Sequence, residues 1–170
     1  MSDQTIKTPS AWVRILTSDV MLGLLVALLS VLAAASAYLG ALSDSAESDA
    51  NVEGQKELSE SNTEFLRVNQ DIIQDYTMFD GYYINFEKDA ELSQYYQDSF
   101  SEELTVSMNR PDGPFDDPYY ESMYADADAT YELAMLKFDE AQTHGDKADR
   151  YQLIVLVFAL ISYQIFSITK

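Results

Sequence analysis

Two long runs without a single charge stand out in the hydrophobic pattern. Residues 20–42, VMLGLLVALLSVLAAASAYLGAL, and residues 151–168, YQLIVLVFALISYQIFSI, are wholly uncharged. As helices they would reach ~35 Å and ~27 Å, against a bilayer core of ~30 Å. Both are predicted to cross a membrane, with Tyr151 and Lys170 anchoring the ends of the second. A buried core helix is the alternative for the second run. For the first, the alternative is a cleaved leader, since AAASA at 33–37 resembles a small-residue processing site. The apolar stretch continues past it through Tyr38, Leu39 and Leu42, which favours an uncleaved anchor.

Between the runs, helical periodicity dominates. Leu58, Phe65, Ile72 and Phe79 recur every seven residues, widened by Leu66, Val68, Ile73 and Tyr76. That pattern predicts a helix over about 55–79, with Gly54 as a hinge before it and Asp80-Gly81 as its end. A looser stripe, Phe86, Leu92, Tyr95, Tyr96, Phe100 and Leu104, predicts a second helix over about 82–107. The third has the cleanest signal. Tyr124, Ala127, Tyr131, Ala134, Phe138 and Ala141 alternate steps of three and four, a heptad seam that Tyr120, Gly145 and Ala148 extend. Its alanines would let a partner helix approach closely while its rings fill the gaps. No stop signal separates this seam from the second apolar run, so the two are expected to form one helix.

The expected fold is all-α: two transmembrane helices flanking an antiparallel helical extramembrane bundle. The segments are a cytoplasmic tail (1–19), a first span (20–42), an acidic helical domain (43–150) and a second span (151–168). Trp12 is placed for the membrane interface, and Thr17, Ser18 and Asp19 for a helix start. Lys7, Arg14 and Lys170 lie on one side of the spans, but Lys147 and Arg150 flank the loop on the other, so the basic residues do not decide the orientation. Both termini are expected in the cytoplasm and residues 43–150 outside.

Charge narrows the partners. The 43–150 segment has 27 acidic and 7 basic residues, a net −20. Such a surface repels nucleic acid and anionic lipid. It serves solubility first, including in a salt-rich habitat, and attraction of cations or basic partners second. The chain has no cysteine, which excludes disulfides and thiolate metal sites.

Candidate chemistry is sparse. In RPDGPFDDPYY (110–120), Asp112, Asp116 and Asp117 could converge on a cation. The competing reading is a helix stop, a turn and a restart, with Asp117 as N-cap and Pro118 as first helical residue. Asp126-x-Asp128-x-Thr130 resembles the start of a calcium loop, but Tyr131 and Lys137 stand where glycine and glutamate are needed. His144 is the sole histidine and cannot hold zinc alone, although it could sense pH near a membrane. The twelve tyrosines, paired at 82–83, 95–96 and 119–120, are expected mainly in the core. No G-x-S-x-G and no phosphate-cradling glycine loop is present. Neither an enzyme nor a cofactor is expected.

NVEGQKELSESN (51–62), LSQYYQDSF (92–100), RPDGPFDDPYY (110–120) and GDKADRYQLIVLVFAL (145–160) resemble, in order and spacing, pieces of a group of uncharacterised prokaryotic membrane proteins. The resemblance covers roughly residues 20–165. It implies an integral membrane protein and carries over no catalytic residues. The chain departs from that group at its end, SYQIFSITK, where a small-residue patch and sometimes a further span would be expected. The expected function is a non-enzymatic accessory or interaction module in the cell membrane, with the lipid bilayer as one partner and a second copy or a larger membrane complex as the other. A ligand- or cation-sensing domain is the alternative.

Overall fold

The structure is a computed structural model and describes residues 19–168. Among them there are four helices and no strand: α1 (Asp19–Asn85), α2 (Ala90–Gln97), α3 (Glu102–Ser107) and α4 (Asp117–Ile168). The expectations for Trp12, Thr17 and Ser18 lie outside the described residues.

α1 runs without interruption through the first apolar run, the AAASA segment and the whole 55–79 stripe. α4 is likewise continuous from Asp117 through the alanine seam into the second apolar run. The expected single helix over 82–107 is replaced by the end of α1 and two short helices, each started by its own side-chain cap. Asp89 accepts the Leu92 N–H at 3.0 Å, and Ser101 Oγ accepts that of Leu104 at 3.0 Å. Each cap satisfies an N–H that has no partner inside its helix, so the chain restarts there rather than running on.

Two glycines have roles other than those expected. Gly54 is no hinge and Gly81 ends no helix; both lie inside α1. A Cβ on Gly54 would stand 2.8 Å from the Phe138 ring, and one on Gly81 would stand 2.5 Å from the Tyr96 ring. Each glycine is the space an aromatic ring occupies. Losing a side chain in mid-helix costs ~1 kcal/mol, which ring packing offsets here.

The chain divides into two compact units. One takes the chain up to Asp49 and everything from Glu140; the other is Ala50–Asp139. The first contains both apolar runs. A Cβ on Gly40 would lie 3.4 Å from Tyr151 Cβ and 3.8 Å from the Ala148 carbonyl, a close helix approach. Most large side chains of the runs nonetheless face outward, among them Leu24, Leu28, Val31, Leu156, Leu160 and Phe166. In the most apolar window of α4 no residue is buried within the chain, and in that of α1 only 6% are. The buried-core alternative for residues 151–168 therefore fails. The Ser30 hydroxyl donates to the Val26 carbonyl at 2.8 Å and so needs no water inside its apolar run.

The second unit has the core. Val68, Ile72, Leu104 and Tyr119 are buried together, with Phe79, Phe100, Met108, Phe115, Met123 and Tyr124 packed against them. Residues Ala50, Ser61, Val68 and Ile72 bury one face of α1, and Ala127 and Ala134 one face of α4. The stripe is narrower than expected: Leu66 and Ile73 point out of it, 66% and 64% exposed.

Candidate functional site

The chemically distinctive place in the Ala50–Asp139 unit is a buried carboxylate. Asp75 follows Ser61 and Val68 at sevenfold spacing, so helical geometry turns it into the core with them. It is only 2% exposed. Three donors converge on it. Its Oδ1 accepts the Ser101 N–H at 3.1 Å, and its Oδ2 accepts the Ser101 hydroxyl at 2.5 Å and the Tyr119 hydroxyl at 2.8 Å. Those donors come from the start of α3 and the first turn of α4, so one side chain of α1 holds both restarts in place. Burial, followed by the adjacent Asp75 carboxylate, pushes the Tyr119 phenol well above its ordinary range. It stays a donor.

A second lock closes the proline-rich corner. Gly113 takes φ +102°, a backbone conformation that side chains resist. The Arg110 guanidinium grips Asp116 with both arms, Nε at 2.5 Å and a terminal nitrogen at 2.6 Å. Asp116 Oδ1 also accepts the Tyr119 N–H at 3.0 Å. Asp116 is thus the N-cap of α4, the place expected for Asp117, which is instead the first helical residue. The Arg110 hydrogen bond holds the Asp116 carboxyl below the usual carboxylate range. Beside this corner, the Tyr76 and Tyr120 hydroxyls share a hydrogen bond, which pushes Tyr120 up to about 12. Phe115 lies between Tyr76, at a centroid distance of 4.2 Å, and Tyr119, at 5.2 Å.

The sequence-predicted residues fall as follows. Of the possible cation ligands, Asp116 is held by Arg110, while Asp112 and Asp117 are exposed. Among the described residues no three acidic or imidazole side chains gather where they could hold a metal ion. Asp126 and Asp128 lie within α4, and the Thr130 hydroxyl is folded back on the Asp126 carbonyl at 2.9 Å. In the seam, Ala127, Ala134 and Ala141 are buried, and Tyr124 and Phe138 are half-buried. Tyr124 packs on Phe65 with centroids 5.6 Å apart and donates to Asn69 Oδ1 at 2.9 Å. Tyr131 departs from the expectation, at 44% exposed. Of the paired tyrosines, Tyr119 is fully buried, whereas Tyr83 and Tyr95 lie on the surface.

Sequence reasoning missed Asp75, Ser101 and Ser61. The Ser61 hydroxyl is buried and donates to the Ala127 carbonyl at 2.9 Å. The available signal was register: Ser61, Val68 and Asp75 share one heptad position beside the apolar stripe.

Next to Asp75 opens a cleft of about 260 Å³ lined by Arg67, Asp71, Asp75, Ser101, Glu103 and Asp126. Arg67 is engaged by Glu64 at 2.8 Å and Asp71 at 3.1 Å. The Glu64 bond raises its pKa further. With Arg67 neutralised by those partners, the remaining carboxylates give the mouth a negative character that would repel anions.

No protein-family model, curated protein or solved structure matches this chain. The likeness to uncharacterised prokaryotic membrane proteins rests on the segments quoted above alone.

Proposed function

We propose that this is an integral membrane protein that crosses the bilayer twice, at 20–42 and 151–168, and presents residues 43–150 as an antiparallel helical bundle outside the cytoplasm. The bundle works as a non-enzymatic accessory or interaction module. The observation that carries this reading is the exposure of both apolar runs. Apolar surface in water costs ~25 cal/mol per Å², and within the chain almost nothing covers either run. A bilayer would. The contacts of the Ala50–Asp139 unit support the antiparallel arrangement: Glu53 meets Lys137, Ser61 meets Ala127, Asn69 meets Tyr124 and Asp75 meets Tyr119. Position numbers fall along α4 as they rise along α1. The interaction role follows from side chains used for packing and hydrogen bonding, with the acid excess keeping the domain soluble.

The test is alkaline carbonate washing of membranes from cells expressing the full chain, followed by protease treatment of intact and opened cells. Retention in the pellet, with cleavage between 43 and 150 from outside only, is the expected result. Release into the wash would overturn the membrane reading, and cleavage only after opening would reverse the sidedness. For the interaction role, a strict monomer with nothing co-purifying in mild detergent would count against it.

A second reading, a sensing domain for a cation or a small amine, is favoured by the acidic cleft beside Asp75. Thermal stabilisation of the full chain by such ligands would support it. No shift across a broad screen of cations and amines would remove its support.

A further inference from the structure

The inner stripe of α1 runs past the helix it packs against. Val68, Ile72, Asp75 and Phe79 are followed, at steps of four and three, by Tyr83 and Phe86. α4 has only begun where its first turn meets Asp75 through Tyr119. Phe79 is still covered, by Phe115 with ring centroids 5.5 Å apart. Tyr83 and Phe86 are 72% and 61% exposed. α2 folds back beside them: its Ser93 hydroxyl donates to the Tyr82 carbonyl at 3.3 Å, and its Tyr96 ring lies over Gly81. The outer side of α2 presents Leu92 and Tyr95, the latter 66% exposed. The three most exposed rings of the Ala50–Asp139 unit therefore stand on two neighbouring segments. Two hollows open there. One, of about 390 Å³, is lined by Tyr83, Ile84, Phe86, Glu87 and Lys88, and the other, of about 300 Å³, by Asp89, Glu91, Leu92 and Tyr95.

We infer that this tip is a docking surface for an arginine-bearing segment of another protein. The inference rests on the interaction role proposed above and supplies the chemistry of the partner. The second hollow selects the occupant. Leu92 offers an apolar wall for an aliphatic stem, Tyr95 a ring face for a cation, and Asp89 and Glu91 two carboxylates for its head. Asp89 uses only Oδ1 to cap α2, accepting the Leu92 N–H. Among the described residues no ion pair engages Asp80, Glu87, Asp89 or Glu91. A guanidinium suits these groups better than an ammonium, since it stacks flat on a ring and forks a carboxylate. A second copy of the unit has none free to supply: its two arginines, Arg67 and Arg110, are each held by carboxylates of their own chain. A free small cation would fill the second hollow and leave Tyr83, Ile84 and Phe86 in water. A segment with an apolar residue beside its arginine covers both hollows, and exposed rings are the residues that anchor such contacts.

The test is binding of a labelled synthetic peptide, alternating arginine and leucine, to the full chain in neutral-lipid nanodiscs at physiological salt. Binding is expected, and the same peptide with glutamate in place of arginine should not bind. The pair Tyr83→Ala with Tyr95→Ala should weaken binding about tenfold or more, as the loss of two anchoring rings does. Glu87→Gln with Glu91→Gln should weaken it severalfold. Asp128→Asn with Glu132→Gln on α4 removes the same charge and should leave binding unchanged. All six side chains are exposed, so circular dichroism should match the parent throughout. Equal weakening by the α4 pair would assign the attraction to the overall acid excess and overturn the inference, as would full binding by the ring pair. Displacement of the peptide by an equal concentration of arginine amide would reduce the tip to a small-cation site and overturn it too. No peptide binding, with another protein co-purifying equally with parent and ring pair, would overturn the inference and leave the interaction role standing. No binding and nothing co-purifying would sink both.

Discussion

The two stretches over which α1 and α4 meet in the Ala50–Asp139 unit solve the same packing problem by different physics. Along residues 50–65 and 127–138 contact is close and largely side-chain-poor: Gly54 under Phe138, and Ser61 against the Ala127 backbone. Around residues 68–82 and 115–124 rings make the contact, and a buried carboxylate organises it, with Asp75 reaching Ser101 and Tyr119. Close packing by small residues tolerates sliding between similar neighbours. A charge-capable group with three directed hydrogen bonds does not, because any shift leaves a buried polar atom without a partner. The corner end therefore constrains the register most, with three directed bonds against the single buried Ser61–Ala127 bond of the seam.

The strongest way to break that division is Asp75→Ala. It strands the Ser101 N–H and hydroxyl and the Tyr119 phenol at the centre of the corner. A loss of about 2–3 kcal/mol is expected, chiefly from the unsatisfied buried phenol, with the half-buried Ser101 donors beside the cleft adding less, read as a lower melting temperature of the full chain in detergent. A melting temperature like that of the parent would show that the corner does not constrain the register. Next in size is Gly81→Ala. On helix propensity alone alanine should stabilise by ~1 kcal/mol. Because the new Cβ would meet the Tyr96 ring, a net loss of about 1–3 kcal/mol is expected instead. A stabilised variant would return Gly81 to a local backbone role.

Tyr119→Phe removes one of three donors and leaves both from Ser101, so about 1 kcal/mol is expected. A loss as large as that of Asp75→Ala would mean that the phenol, rather than the carboxylate, is the organiser. The smallest effect concerns pH. Asp116 is held below its ordinary value by Arg110, so its unfolded pKa is the higher of the two. Its contribution is then present above the ordinary carboxylate range, and is lost as pH falls through that range towards the folded value. Arg110→Met should shrink the acid-side fall in melting temperature through and below the ordinary carboxylate range. An unchanged acid profile would show that the fork contributes nothing measurable.

How much of this was legible beforehand depended on distance along the chain. The helical class, the two apolar runs and the buried alanines at 127, 134 and 141 came from local periodicity, which needs only a few turns of sequence. The helix boundaries around 80–107 were misread because Asp80-Gly81 looks like a stop signal when viewed locally. The caps that divide the region, Asp89 and Ser101, are equally local and could have been found by placing a serine or aspartate three residues before a leucine. The cation candidates failed to gather for a different reason. Three aspartates within six positions look alike in sequence, yet only Asp116 lies within reach of Arg110 and the start of α4. The outward turn of Leu66 and Ile73 was hidden because an apolar stripe gives its centre more reliably than its width.

The sequence by itself determined that the chain is helical, where apolar length suffices to cross a bilayer, and that the segment between is strongly acidic. These are properties of composition and period, and each residue contributes to them independently of its distant neighbours. Only the tertiary structure decided what Gly54, Gly81, Asp75 and Asp116 are for. The partners of Asp75 stand far along the chain, 26 residues away for Ser101 and 44 for Tyr119, and Phe138 is farther still from Gly54, whereas Asp116 meets Arg110 and Tyr119 within six residues, once the chain turns at Gly113. A directed hydrogen bond or a ring against a glycine exists only once those partners share one place, and no local pattern encodes that meeting.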